Sequence, residues 1–133
     1  MLLKYELEGQ AYAQASGRVY SLKHRETQTG KAMATFSIAY GTEKAEFGDQ
    51  VQNKYINCIA FAYLAEYIKS LDDGKHKINL LACGKLQMNE YQGNTREEIL
   101  CDFIIGQPIA DTTVKRIEQE RKKEEDDFDD LNI

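Results

Sequence analysis

An all-β barrel of five strands with one short helix is the fold class that this sequence predicts. Two observations carry the prediction. Stretches of two-residue apolar alternation recur with polar turns between them, and helical spacing appears after the third long stretch. A third observation sets the scale: 133 residues with 42% hydrophobic content suffice for one core plus a tail and are too few for two ordinary domains.

Taken in order, Leu3, Tyr5 and Leu7 alternate with Lys4, Glu6 and Glu8, which fits a half-buried strand or a short helix. Ala15 to His24 predicts the first long strand, with Gly17 allowing a bend and Arg18, Tyr20 and Leu22 alternating with Val19 and Ser21. The polar run from His24 to Lys31 predicts a turn, and Ala32 to Tyr40 returns as a strand with Ala34, Phe36 and Ile38 inward. Gly41 to Gln52 is polar and acidic and predicts a long loop that exposes Phe47.

Asn53 to Ala65 changes period within one stretch. Tyr55, Asn57, Ile59 and Phe61 share one strand face, and Ile56, Cys58 and Ala60 the other; Ala62 to Leu71 then predicts a helix ending at Asp72-Asp73-Gly74. Lys77 to Met88 and Thr95 to Ile105 predict a final hairpin around Gln92-Gly93-Asn94, with Ile78, Leu80 and Ala82 on one face and Ile99, Cys101, Phe103 and Ile105 inward. The order β-β-β-α-β-β is that of a five-stranded OB-fold barrel, whose closure removes unpaired edges and which is favoured here over a β-sandwich.

Residues 1–110 are therefore expected to form the barrel, and 111–133 a charged spacer followed by a disordered acidic C-terminal tail. Glu124 to Ile133 holds six acidic residues and no basic one, which accounts for the net charge of −5. No apolar run spans a bilayer, and the N-terminus lacks a basic region followed by an apolar one, so a soluble, cytoplasmic protein without membrane association is expected.

Catalytic and metal chemistry find no footing in the sequence, so a non-enzymatic protein with no cofactor is expected. Thr29-Gly30-Lys31 lacks the upstream glycine and the Ser or Thr after lysine of a phosphate loop. His24 and His76 have no partners at metal-ligand spacing, and Cys58, Cys83 and Cys101 form no Cys-x-x-Cys pair and are expected as buried thiols.

Basic residues cluster instead at Arg18, Lys23, Arg25 and Lys31 and at Lys75, Lys77 and Lys85. On an OB barrel these would border the face of Tyr55 and Phe61, with phosphates along the cations and bases on the rings. Tyr91, at a hairpin tip, joins the aromatic candidates, and Lys54 and Arg96 complete the candidate phosphate contacts; Tyr20, Tyr40 and Tyr63 are expected in the core.

Four ordered segments carry a family resemblance: Gly17-Arg18-Val19, Gly30 to Ala39, Tyr55 to Glu66 and Gly84-Lys85-Leu86. Together with the acidic tail, they resemble the bacterial and bacteriophage single-stranded DNA-binding proteins. The resemblance implies non-specific single-stranded DNA binding in replication, recombination and repair, with stacking on Tyr55, Phe61 and Tyr91, and on Phe47 in the preceding loop. It also implies a homo-oligomer, namely a tetramer, and a tail whose Phe128, Asp129, Asp130, Leu131 and Ile133 recruit replication and recombination proteins.

The chain departs from the family in having no tryptophan, about a dozen extra residues before Gly17, and Leu131-Asn132-Ile133 where the family ends in Pro-Phe. An RNA-binding or primosome accessory module and a protein-interaction adaptor are the alternative readings.

Overall fold

Two-residue turns at Glu8-Gly9 and Gln92-Gly93, all four residues at positive φ, fold the two ends of the barrel sequence into hairpins. Such turns match the right-handed twist of paired strands. The computed structural model describes residues 1–44, 48 and 50–109. Along these run β1 (Leu2–Leu7), β2 (Gln10–Glu26), β3 (Ala32–Lys44), β4 (Val51–Phe61), α1 (Tyr63–Leu71), β5 (Lys77–Tyr91) and β6 (Asn94–Ile109).

The sheet order is β1-β2-β3-β4-β6-β5, and β5 returns to β2, so β2, β3, β4, β6 and β5 close into a ring of five. All pairings are antiparallel except β4 with β6, where Asn57, Cys58 and Ile59 lie opposite Glu98, Ile99 and Leu100. This is the closed OB-type barrel that the element order predicts.

β1 stands outside the ring. It pairs with Gln10 to Ala15 along the edge of β2 that β3 occupies further on, and the N-terminal amine donates to the Ser16 and Tyr40 carbonyls at 2.9 and 2.6 Å. The extra N-terminal residues thus form a strand, but Leu3, Tyr5 and Leu7 face solvent, since of the apolar residues of β1 only Leu2 shares the side of Ala13 and Ala15.

The core is filled by alternate residues of the ring strands, among them Ile38, Cys58 and Ile99, all at most 2% exposed. Helix α1 lays Leu64, Ala65 and Ile68 across one end of the barrel. The Tyr67 hydroxyl donates to the Gly106 carbonyl and accepts from its N–H, and His24 Nε2 meets the Asp72 carboxylate at 2.8 Å, tying the helix to β6 and β2. That contact, with the Gly74 N–H, holds the Asp72 carboxyl below the usual carboxylate range.

Register shifts correct the expected faces. Asp102 is an extra residue in β6 between the pairs Gly84–Cys101 and Cys83–Phe103, so alternation inverts beyond it. Ile104 points inward, and Phe103 and Ile105, expected inside, are 52% and 53% exposed. Tyr63, also expected inside, is 72% exposed on the outer side of α1. Tyr40 does pack against the core from the side, while Tyr20 lies on the outer surface.

Strand crossings leave no room at Gly17, Gly84 and Gly106. A Cβ at Gly17 would sit 1.9 Å from the Ala39 carbonyl oxygen, and one at Gly84 1.9 Å from that of Leu100. Both obstacles are backbone, so neither yields by a rotamer change. Gly17→Ala is expected to lower stability by about 1–3 kcal/mol, the usual cost of overpacking. Urea denaturation followed by circular dichroism checks this, and an unchanged midpoint would contradict the crossing.

Candidate nucleic-acid interface

The outer surface of β2, β3 and β4 collects the residues that the sequence pattern singled out. Register places them in rows across the three strands: Arg18, Ala39 and Tyr55; Tyr20, Ser37 and Asn57; Lys23, Thr35 and Ile59; Arg25, Met33 and Phe61. Their neighbours Val19, Phe36, Ile38, Ile56, Cys58 and Ala60 are buried, which fixes these rows as outward.

A bulge in β2 makes this face basic. Between Tyr20 and Lys23 the strand carries two residues, Ser21 and Leu22, against one in β3, and Ser21 adopts φ 55°. Strict alternation would put Leu22 and His24 beside Tyr20. The bulge puts Lys23 and Arg25 there instead and turns His24 toward Asp72.

Aromatic side chains on the face are tied to one another or to lysines. Tyr55 is 49% exposed and meets Tyr20 edge-to-face, with centroids 5.5 Å apart and planes at 83°. Lys77 Nζ lies 4.8 Å from the Tyr20 centroid, and Lys31 Nζ lies 5.3 Å from that of Phe61. Both are within cation–π range. Tyr20 thus belongs to the surface cluster, whereas the sequence pattern placed it in the core.

The β5–β6 hairpin stands over this face and divides it. On one side, a groove of about 320 Å³ is lined by Lys23, Arg25, Ser37, Asn57, Arg96 and Glu98 among others. On the other, a groove of about 450 Å³ runs between β1, β4 and the hairpin, with Tyr40, Tyr55, Met88, Arg96 and Glu97 in its walls. Lys4 pairs with Glu97 at 2.7 Å, so β1 braces the hairpin. Arg96 and Asn57 line both grooves.

Polar contacts organise the floor. Ser37 Oγ donates to Asn57 Oδ1 at 3.0 Å. Opposite Asn57, the Glu98 carboxylate accepts from Gln87 Nε2 at 3.0 Å and Asn89 Nδ2 at 3.4 Å. Asn57 shares the parity of Tyr55 and Phe61, which is legible in the sequence; Glu98 reaches the same row only because β6 docks beside β4.

The remaining candidates are more dispersed. Lys85 is exposed on β5 between Tyr12 and Leu100, Lys54 reaches Glu43 at 3.8 Å, and Lys75 sits in the α1–β5 connection, where its N–H donates to Asp73. Phe47 and the tail residues Phe128, Asp129, Asp130, Leu131 and Ile133 lie outside the described residues, and of Tyr91 only the backbone, paired with Asn94, is described.

The three cysteines are free thiols. Cys58 and Cys101 are buried beneath the β4–β6 seam, and hydrogen bonding to Cys101 together with burial pushes the Cys58 thiol well above its ordinary range. Cys83 is half-buried on the outer surface, and burial raises its thiol as well. Among the described residues no three His, Cys, Asp or Glu side chains gather as metal ligands, and no helix is long and apolar enough to cross a membrane.

Among solved structures, the chain is similar to the small single-stranded DNA-binding protein from Streptomyces coelicolor. The TM-score is 0.51 at 17% identity, covering 72% of this chain and 91% of that one. At this identity the likeness is one of fold. The chain matches no protein-family model and no curated protein.

Proposed function

We propose that this chain belongs to the single-stranded DNA-binding family and binds unpaired DNA on the outer face of β2, β3 and β4. The observation that carries the reading is the row structure of that face. Exposed or half-exposed Tyr20, Tyr55 and Phe61 stand among Arg18, Lys23, Arg25, Lys31, Lys77 and Arg96. Bases of any sequence can stack on rings, and a strand whose bases are unpaired offers them, whereas a duplex keeps them stacked inside.

The position of the face within the fold supports the same reading. OB-folds take oligonucleotides across their second and third strands, between the first turn and the last hairpin. In this chain those are β3 and β4, with Lys31 after the first turn and Arg96 on the last hairpin. The protein of similar fold is named as binding single-stranded DNA. Lys31 and Lys77 rest on rings and are poised to exchange a cation–π contact for a phosphate when a base takes the ring face.

The wider role proposed is protection and organisation of single-stranded DNA in replication, recombination and repair, in the cytoplasm of a bacterial or phage-infected cell. Residues 1–110 would bind DNA, and 111–133 would form the charged spacer and partner-recruiting tail. Oligomerisation is proposed through the opposite side of the barrel, where Leu3, Leu7, Phe103 and Ile105 are all more than half exposed on the outer surfaces of β1 and β6. A largely apolar patch of this kind, with Lys85 and Asp102 beside it, suits a symmetric interface that buries the same surface on both copies.

Fluorescence anisotropy with labelled oligonucleotides tests the binding reading. Single strands are expected to bind far more tightly than duplex, with affinity falling as salt rises. Tyr55→Ala should weaken binding by about 1–3 kcal/mol, one stacked base, while leaving the thermal midpoint nearly unchanged because Tyr55 lies outside the core. No binding of single strands at low salt would refute the assignment.

Light scattering reads the oligomer: Phe103→Glu is expected to lower the solution mass toward that of one chain, and an unaltered mass would clear that face of the role. Removing Glu124 to Ile133 should leave or raise DNA affinity and abolish capture of replication proteins. Capture that persists without the segment would rule out its recruiting role.

A further inference from the structure

Glu98 is an unexpected residue in the middle of a face built to hold a polyanion. It lies on the outer side of the β4–β6 seam, half-buried, in the groove that also holds Lys23, Arg25 and Arg96. Among the described residues no lysine or arginine forms an ion pair with it; its oxygens accept instead from the amides of Gln87 and Asn89. A carboxylate has about four acceptor positions, so capacity for further donors remains. Any group that approaches it from the groove must bring a hydrogen to donate.

Its neighbour across the seam has the opposite capacity. Asn57 occupies the paired position on β4, and because Ser37 donates to its Oδ1, its Nδ2 hydrogens are left for another acceptor. Neighbouring strands are about 4.8 Å apart, so a donor and an acceptor stand side by side on the groove floor. The groove volume of about 320 Å³ falls at the lower end of the range for small-ligand sites.

We infer that this groove is a base pocket that favours cytosine and adenine over thymine, a refinement that rests on the single-stranded DNA-binding reading above. The pairing edges of cytosine and adenine each present an amino donor next to a ring-nitrogen acceptor, which complements Glu98 and Asn57 in turn. Thymine can offer its N3–H to Glu98 and one carbonyl to Asn57, but its second carbonyl oxygen then flanks the Glu98 carboxylate, a repulsion that cytosine and adenine do not meet. Carboxylate side chains discriminate in this way when they accept from the cytosine amino group. Lys23, Arg25 and Arg96 at the rim would hold the flanking phosphates, so the protein would bind every sequence through its rings and cations and grade sequences through this pair.

Anisotropy titrations with labelled dC20, dT20 and dU20 at pH 7.5 test the inference. The protein should bind dC20 about fivefold or more tightly than dT20, with dU20 resembling dT20, since one good base contact commonly contributes that much. Glu98→Gln should bring dC20 and dT20 to within about twofold of each other, chiefly by raising affinity for dT20, because a charge that repels phosphates and carbonyls is removed. Asn57→Ala should narrow the same ratio from the dC20 side, and a thermal midpoint for each variant confirms folding. Equal or tighter binding of dT20 by the unmodified protein, or a ratio that both folded variants leave unchanged, would overturn the base preference while leaving general DNA binding intact. Failure of all three oligonucleotides to bind would instead remove the DNA-binding reading itself.

Discussion

Closure of the barrel depends on a seam of three paired positions between β4 and β6, the shortest ladder in the ring and its one parallel junction. Parallel pairing gives slightly less per residue than antiparallel, and three rungs are few. Side chains on both faces of the seam supply what the backbone does not. Inside, Cys58 and Ile99 face each other in a core to which α1 contributes Ile68; outside, Asn57 faces Glu98 and Ile59 faces Leu100. The rung that closes the barrel therefore also builds the floor of the candidate interface.

Because the seam is short, the β5–β6 hairpin is free to rise past it. β5 and β6 remain paired out to Tyr91 and Asn94, well beyond the last contact of β6 with β4 at Glu98. The resulting arm has two faces set by alternation. Met88 and Glu97 look toward β1, and Asn89, Arg96 and Glu98 toward the groove with Lys23 and Arg25. The Lys4–Glu97 pair is solvent-exposed and contributes little to stability. Its significance is geometric, because it fixes the arm against β1, the edge strand of the sheet.

Two bulges give the barrel two different outer surfaces. The one at Ser21-Leu22 turns Lys23 and Arg25 onto the side of Tyr20 and Tyr55, and the one at Asp102 turns Phe103 and Ile105 outward on the opposite side. One surface becomes basic and aromatic, the other largely apolar. That segregation is compatible with the proposed binding of a polyanion by a chain of net charge −5, since six of its 22 acidic residues lie in Glu124 to Ile133 and Arg18, Lys23, Arg25, Lys31, Lys77 and Arg96 gather on one face.

The sequence by itself determined the ring strands, the helix, the inward sets Ala34–Phe36–Ile38 and Ile56–Cys58–Ala60, and the outward position of Tyr55 and Phe61. These follow from local periodicity and turn chemistry, which need no distant partner. The Glu8-Gly9 turn that joins β1 to β2 carries no such signal, since glutamate is not among the residues that favour positive φ. Tertiary structure alone decided that Tyr20 lies with Tyr55, that Phe103 and Ile105 face out, and that Glu98 stands beside Asn57. A one-residue register shift inverts every side chain beyond it, and the neighbour of a strand is chosen by closure of the whole sheet; neither leaves a mark in the spacing of residues along the chain.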